Sequence, residues 1–287
     1  MKLFQKGWNF LQDGPGNRLV YHMQGCNMRC PWCSNPEGMS KDGTLIVKTK
    51  HLLDSICPPG AIKNGTIDRS KCVSCKTREC ITRNKTQGIM LSCFEMMPSE
   101  IAAEAEAARH LFHGGGGVTF TGGEPLLQFS ELSKTLAFLK ERGIHTAIET
   151  NAYERRLPDI FRLIDFLIID LKHHDNSLHR AMVGVENRPV LENIKTAARN
   201  HSRVLVRITL VPGFNDSARD AAQFAHFFTP LKGCNFAVEF LKYHEYGKVK
   251  WKQCGLEYTM KSVIINNSAV EYFRNRCTGA GITIVNT

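Results

Sequence analysis

The sequence predicts an α/β protein with a parallel sheet, and two observations lead to this prediction. Short runs rich in β-branched and aromatic residues alternate with stretches of strong helix formers, a pattern typical of parallel strands joined by right-handed crossovers. Six such units can be recognised, which is fewer than the eight of a closed barrel. The 287 residues, 43% of them hydrophobic, are enough to build a sizeable core.

The first predicted strand, residues 19–23, leads into a loop that carries three cysteines. A turn at Asp13-Gly14-Pro15-Gly16 precedes the strand, since glycine and proline break regular structure. Cys26, Cys30 and Cys33 follow the strand, separated by three and then two residues. Three thiolates on one loop can ligate three irons of a [4Fe–4S] cluster and leave the fourth iron open. From spacing alone, a zinc-binding loop or three unrelated thiols are the alternatives.

Residues 36–97 interrupt the α/β pattern and resemble a degenerate bacterial ferredoxin module. Such modules hold iron–sulfur clusters through closely spaced cysteines, one of them in a Cys-Pro pair. Cys57, which precedes a proline, is predicted to ligate one auxiliary [4Fe–4S] cluster together with Cys72, Cys75 and Cys80. Cys93 is an alternative fourth ligand in place of Cys80. A zinc-binding insert, or a decayed module with free thiols, is the other interpretation.

From residue 98 onward, strands and helices alternate to the end of the chain. Ser99 is predicted to cap a helix over residues 99–105, because serine accepts a hydrogen bond at that position. Asn215 or Asp216 is predicted to cap a helix over residues 217–228. The other predicted elements are strand 118–121, helix 126–142, strand 145–150, a helix leading to strand 166–170, helix 190–200, strands 204–211 and 236–241, and an edge strand at 282–285.

Composition limits the class of protein and its partners. No apolar run approaches the ~20 residues of a spanning helix and no signal peptide is visible, so a cytoplasmic protein without a membrane partner is expected. Eleven cysteines in such a chain favour metal ligation over disulfide bonds. The formal charge of +10 is spread along the chain, which argues against a nucleic-acid partner and suits an acidic protein partner.

Polar groups follow several predicted strands, at the edge where α/β proteins bind their ligands. Gly122-Gly123-Glu124 follows one strand, and its two glycines allow backbone to approach a ligand closely. Asp170-Leu171-Lys172 ends a second strand, and His244 follows the last one. A tight turn, a surface ion pair and a structural histidine are the simpler interpretations of these three groups.

The cysteine loop resembles the signature of radical S-adenosylmethionine (SAM) enzymes, in which the open iron binds the amino and carboxylate groups of SAM. Asp13-Gly14-Pro15-Gly16, the ferredoxin-like insert and Tyr243-His244-Glu245-Tyr246-Gly247 narrow the resemblance to the activating enzymes of glycyl radical enzymes. Asn17 and Lys242 depart from that pattern, where isoleucine and proline are usual. The resemblance implies an α/β fold, an open (β/α)6 radical SAM partial barrel with a small insert. Its predicted parts are residues 1–35 with the first strand and the cluster loop, the insert at 36–97, and the rest of the barrel at 98–287.

The resemblance also implies which residues form the site. Cys26, Cys30 and Cys33 would ligate the SAM cluster, and a monovalent cation would lie at Asp170 with Glu149 and Thr150. Trp32 would contact the adenine of SAM, the glycines its amino group, and Lys172 its carboxylate. The full set of implied SAM contacts is Trp32, Cys33, Ser34, Gly122, Gly123, Glu124, Asp170, Leu171, Lys172 and His244.

The implied activity is reductive cleavage of SAM to methionine and a 5′-deoxyadenosyl radical. That radical would abstract hydrogen from a backbone glycine of a partner glycyl radical enzyme, giving 5′-deoxyadenosine. The cofactor carries out the chemistry, so no side chain is predicted to act as a general acid or base. Flavodoxin or ferredoxin would supply the electron. A radical SAM enzyme acting on a small molecule and a non-catalytic iron–sulfur electron carrier are the two alternatives.

Overall fold

The structure is a computed structural model that describes residues 1–10, 12–48, 54, 57–73, 75, 77–83, 88–261 and 264–286. Within these residues the strands are β1 (Lys2–Phe10), β2 (Asn17–Met23), β3 (Leu45–Val47), β4 (Ile62–Lys63), β5 (Thr66–Ile67), β6 (Ile89–Leu91), β7 (Phe94–Glu95), β8 (Gly117–Gly122), β9 (Thr146–Thr150), β10 (Phe166–Asp170), β11 (Val204–Leu210) and β12 (Phe236–Lys242). The α-helices in the same part of the chain are α1 (Arg69–Cys72), α2 (Glu79–Arg83), α3 (Pro98–Ala107), α4 (Phe129–Glu141), α5 (Asn176–Val183), α6 (Arg188–Asn200), α7 (Ala218–Phe228), α8 (Lys248–Cys254) and α9 (Asn267–Gly279).

One large sheet organises the molecule, with the strand order β12-β11-β10-β9-β8-β2-β1-β7. The six strands from β12 to β2 are parallel to their neighbours, which confirms the predicted open partial barrel. Strand β1 runs antiparallel to β2 and to β7. Because the six parallel strands point the same way, the loops after them meet at one edge of the sheet.

Strand β1 is the largest difference from the sequence prediction, which places the first strand at residues 19–23. The segment Lys2–Phe10 mixes Lys and Gln with apolar residues and reads as a charged terminus. In the structure Leu3 is completely buried, whereas Trp8 is 42% exposed, so β1 is half-buried and continues the sheet beyond β2. Strand β7 then extends the same side, taking Phe94–Glu95 from the predicted insert into the main sheet.

Helix α4 shows how the sequence pattern produces packing. Leu132, Leu136 and Leu139 recur at helical spacing, and all three side chains are completely buried in the main core. The insert has a small apolar cluster of its own, formed by Val47, Ile62 and Ile89. None of the helices in the described ranges combines the length and the apolar character needed to cross a bilayer.

Two predicted helix caps are wrong. Helix α3 begins one residue earlier than predicted, at Pro98, so Ser99 lies inside its first turn and Met97 is the N-cap. At this N-terminus the Glu100 carboxylate accepts a hydrogen bond from the Met97 N–H at 2.6 Å. Helix α7 is capped by Ser217 and not by Asn215 or Asp216, because Ser217 and Asp220 bond each other's backbone N–H in a capping box.

Two other predicted elements differ in kind. The helix before β10 is a 3₁₀ helix over Leu157–Leu163. The predicted edge strand at residues 282–285 is an isolated bridge, in which Ile284 pairs with Val238 of β12.

Candidate active site

The three cysteines after β2 line one cavity of about 260 Å³ at the carboxyl ends of the parallel strands. All three are free thiols, and Cys30 is buried. Burial raises the pKa of Cys26 to about 12 and also raises the pKa of Cys33 above its ordinary value. These thiols therefore become thiolates only beside a compensating positive charge, which a metal ligated by sulfur supplies. The chemistry of the donor set fits an iron–sulfur cluster.

The backbone of the cysteine loop is held at its start by two other segments. Gly25 has a left-handed backbone conformation with φ of +98°, which favours glycine. Its N–H donates to the Gly38 carbonyl at 2.7 Å, and the Cys26 N–H donates to the Met39 carbonyl at 3.0 Å. The Gly25 carbonyl in turn accepts the Glu124 N–H at 2.7 Å. The loop and the Gly-Gly-Glu turn are thus joined directly.

The two glycines of that turn line the cavity, whereas Glu124 lies behind it. A methyl group added to Gly123 would lie 2.1 Å from the Gly25 carbonyl oxygen, so this contact requires glycine. The buried Glu124 carboxylate accepts hydrogen bonds from the Thr150 hydroxyl at 2.6 Å and from the Asn151 N–H at 2.8 Å. Glu124 therefore ties the turn after β8 to the end of β9.

The end of β10 contributes one ion pair to the cavity wall. The Lys172 ammonium lies 2.9 Å from the Asp170 carboxylate, and both residues line the cavity. Burial opposes the charge of Lys172, but the Asp170 carboxylate, together with Cys30 and Glu149, outweighs burial and raises the pKa of the lysine. Leu171 points away from the cavity and is completely buried in the core.

A second charged group lies under the cavity and was not predicted from the sequence. Arg207 of β11 contacts Glu149 at 2.9 Å and Glu239 at 2.8 Å, and donates to the Gln12 carbonyl at 2.5 Å. The Glu149 carboxylate also accepts the Thr121 hydroxyl at 2.8 Å. Burial raises the pKa of Glu149 to about 7, and Arg207 opposes that rise.

The remaining predicted contacts reach the cavity from loops. Trp32, Ser34, Thr150 and His244 all line it. The Trp32 ring packs against Phe214 with centroids 5.1 Å apart, and the exposed His244 ring stacks on Tyr246 at 4.1 Å. Of the implied SAM contacts, only Glu124 and Leu171 stay behind the wall in the described structure.

The cysteines of the insert form a separate group. Cys57, Cys72, Cys75 and Cys80 line one cavity of about 80 Å³ with apolar walls that include Leu45 and Ile62. Cys93 is not among the described residues that line this cavity. The four predicted ligands are therefore brought together, and the alternative fourth ligand is not.

Asn151 and Arg207 belong to the site, and each could have been identified from its position in the sequence. Asn151 directly follows β9, the position that singled out other site residues, and its amide donates to Asn27 of the cysteine loop at 2.8 Å. Arg207 stands within a run of buried strand residues, where a charged side chain needs acidic partners. Thr121 and Met39 also line the cavity, and nothing in their local sequence distinguishes them.

Fold and site together define an α/β partial barrel with three thiols at the carboxyl ends of its strands, a donor set that suits a sulfur-ligated metal cofactor. Residues 20–225 match the model of the radical SAM superfamily. The chain is 33% identical over 265 residues to the 4-hydroxyphenylacetate decarboxylase activating enzyme of Clostridioides difficile (strain CD196), covering 86% of this chain and 83% of the relative. It is 31% identical over 284 residues to the isethionate sulfite-lyase activating enzyme of Desulfovibrio desulfuricans, covering 91% and 88%.

Among solved structures, a radical SAM methyltransferase from Sphaerobacter thermophilus shares the fold, with a TM-score of 0.56 at 14% identity over 97% of this chain and 67% of that one. The chain belongs to the radical SAM superfamily and, within it, to the activating enzymes of glycyl radical enzymes. It is therefore an enzyme whose family uses a [4Fe–4S] cluster and SAM.

Proposed function

We propose that this activating enzyme binds its [4Fe–4S] cluster through Cys26, Cys30 and Cys33 and binds SAM in the adjoining cavity. The observation that supports this most directly is that the three thiols of the loop line one cavity with polar groups from the ends of five strands, β8 to β12. A cluster held by these three cysteines would supply one electron to SAM, and the cleavage of SAM would yield the radical that takes hydrogen from a glycine of the partner enzyme.

Different residues of the cavity bind different parts of SAM. Lys172 offers a positive charge for the SAM carboxylate, and Gly122 and Gly123 offer a close backbone approach for the amino group. Trp32 and His244 present aromatic rings at the cavity for the nucleoside. Glu124 acts from behind the wall by holding the Gly-Gly turn, and Leu171 acts through its backbone by keeping Lys172 in place.

The partner is a glycyl radical enzyme, and the two relatives named above activate different enzymes. The open side of the partial barrel suits a macromolecular substrate, because a peptide loop can enter where no strand of the described residues closes the sheet. The formal charge of +10 suits an acidic flavodoxin or ferredoxin as the electron donor. We further propose the insert at residues 36–97 as a unit distinct from the barrel parts at 1–35 and 98–287, except for Phe94–Glu95, which pairs with β1 in the main sheet.

We also propose one auxiliary [4Fe–4S] cluster in the insert, held by Cys57, Cys72, Cys75 and Cys80. Their shared cavity supports this ligand set over one that includes Cys93. Iron and sulfide quantitation on anaerobically prepared protein tests it. Cys72→Ala should lower the iron content by about one cluster, whereas Cys93→Ala should keep the wild-type content, and equal iron in both variants would contradict this ligand set.

A monovalent cation at Asp170, Glu149 and Thr150 would compete with the protein's own cations. Asp170 is paired with Lys172, and Glu149 is paired with Arg207, so a metal ion would have to share both carboxylates. The test is to titrate K⁺ into protein in a tetramethylammonium buffer and measure SAM affinity. A bound cation should strengthen SAM binding saturably, and an affinity independent of K⁺ would refute this site.

The proposed function is tested by SAM cleavage in anaerobically reconstituted, reduced protein. Wild type should release methionine and 5′-deoxyadenosine, Cys30→Ala should not, and Cys234→Ala should behave as wild type, because Cys234 lies outside the cavity. Cleavage by Cys30→Ala would refute the proposal. An EPR spectrum unchanged by SAM would favour an electron carrier. SAM cleavage without a glycine-centred radical on the co-expressed partner would favour a small-molecule substrate.

A further inference from the structure

The third cysteine of the cluster loop is held by a helix from the far end of the chain. The indole N–H of Trp251 in α8 donates to the Cys33 carbonyl at 2.8 Å, a contact between residues 218 positions apart. Trp251 is 9% exposed, and the hydrogen bond itself is partly buried. The bond fixes the backbone at Cys33 without touching its sulfur.

A second residue of α8 reaches the same cysteine through a neighbour. The Lys250 ammonium donates to the Asn35 side chain at 2.8 Å and to the Glu37 carboxylate at 2.7 Å. The Asn35 N–H in turn donates to the Cys33 sulfur at 3.4 Å. Helix α8 therefore constrains Cys33 at its carbonyl directly and at its sulfur through Asn35.

The start of α8 is packed directly on this part of the loop. A methyl group added to Gly247, the residue before the helix, would lie 2.5 Å from the Cys33 carbonyl oxygen and 2.8 Å from Ser34 Cα. Both neighbours are backbone atoms, which cannot turn aside as a flexible side chain can. Helix α8 therefore lies so close to the loop that only glycine fits at position 247.

The opposite end of α8 is attached to the insert. Arg69, at the start of α1, donates to the Gln253 carbonyl at 2.6 Å and to the Leu45 carbonyl of β3 at 2.7 Å. A methyl group added to Gly255, just after α8, would meet the Arg69 side chain at 2.1 Å. Arg69 and Cys72 are the first and last residues of one short helix. One helix thus contacts both cysteine-bearing segments.

We propose that α8 couples the insert to the cluster loop, with Trp251 and Lys250 as positioning residues for Cys33 and Arg69 as the link to the insert. The inference rests on the proposed function, since it concerns how firmly Cys33 holds its metal. A loop with three ligands releases metal when any one of them moves away. Restricting the motion of Cys33 slows that release, and loosening either end of α8 should speed it.

The test measures iron release to a ferrous chelator from the anaerobic holoenzyme, together with the SAM-induced change in the EPR spectrum. Trp251→Phe keeps an aromatic ring and removes the N–H, and should release iron at least about fivefold faster, in line with the loss of one hydrogen bond. Trp8→Phe is the matched control, because Trp8 lies half-exposed on β1, and it should stay at the wild-type rate. Lys250→Met provides a second variant should Trp251→Phe fold poorly.

Arg69→Gln tests the link to the insert. It should also speed iron release and alter the SAM-induced EPR change, whereas Lys63→Gln, at an exposed position of β4 in the same insert, should do neither. Wild-type iron retention in Trp251→Phe and Lys250→Met would overturn the positioning role, and wild-type behaviour of Arg69→Gln would overturn the coupling. Failure of the proposed function is distinguishable, because wild-type protein would then not cleave SAM at all.

Discussion

Removing the charge of Arg207 is expected to destabilise the barrel strongly. The Arg207 side chain is 7% exposed, and it contacts Glu149 and Glu239, whose side chains are 19% and 2% exposed. In Arg207→Met both carboxylates stay buried but lose the guanidinium that pairs with them. Breaking a buried ion pair by removing one partner costs about 3–5 kcal/mol. At an unfolding entropy of about 0.6 kcal/mol/K for a chain of 287 residues, the apparent Tm should fall by roughly 5–8 °C.

The matched control for this variant is an exposed pair. Arg188→Met removes an i,i+4 partner of Glu192 on α6, where the two side chains are 74% and 49% exposed. Such pairs contribute at most about 0.5 kcal/mol, so its Tm should stay within roughly 2 °C of wild type. The Tm is read by differential scanning fluorimetry under anaerobic conditions.

The pH dependence distinguishes lost charge from lost packing. Without Arg207 the pKa of Glu149 must rise further, because the group that opposes its rise is gone. The destabilisation of Arg207→Met should therefore shrink as the pH falls and the carboxylates take up protons. Adding Glu149→Gln to Arg207→Met should recover part of the loss at neutral pH. A loss equal to that of Arg188→Met, or no recovery in the double variant, would refute the interpretation of Arg207 as a charge-balancing residue.

The Gly-Gly-Glu turn leads to two more measurements. Gly123→Ala places a methyl group against the Gly25 carbonyl, so SAM affinity by calorimetry should fall by roughly tenfold or more, whereas Gly7→Ala, whose added carbon meets nothing within 4 Å, should keep it. Unchanged affinity in Gly123→Ala would contradict the close packing of turn and loop. Burial raises the pKa of Glu124 to about 7 against hydrogen bonds that lower it, so stability should fall as pH rises from about 4.5 to 7. Glu124→Gln should flatten that part of the urea-unfolding profile, and a wild-type slope in this variant would count against the shift.

The parallel strands could be predicted because each one is visible as a local pattern in the sequence. Strand β10 has the predicted bounds, Phe166–Asp170, since an apolar run ending in a charged residue matches a buried strand whose end faces a ligand. Strand β1 could not be predicted in the same way. Its mixture of lysine, glutamine and apolar residues can be interpreted as a strand only once β2 lies beside it, and that pairing is a tertiary property.

The three cysteines of the loop could be found in the sequence for a similar reason, and the residues that hold the loop in place could not. A loop that chelates metal carries its ligands within a few residues, so the spacing of Cys26, Cys30 and Cys33 is visible in the sequence. The orientation of Glu124 is not visible, because it depends on the Thr150 hydroxyl and the Asn151 backbone after another strand. A position just after a strand end predicts that a residue belongs to the site. It does not predict whether the side chain points into the cavity or lies behind the cavity wall.

The contacts that hold the cysteine loop connect cluster ligation to folding. The loop is bonded to the Met39 carbonyl, to the Glu124 N–H through Gly25, and to the Trp251 indole, three groups from distant parts of the chain. These three contacts form together only when the barrel, the start of the insert and helix α8 are assembled. An unfolded chain offers the same three thiols without this arrangement, and it binds a cluster less tightly. A contact that holds the loop in place in the folded protein strengthens cluster binding to the folded state. By linkage, the same contact also raises the stability that the bound cluster adds to the fold.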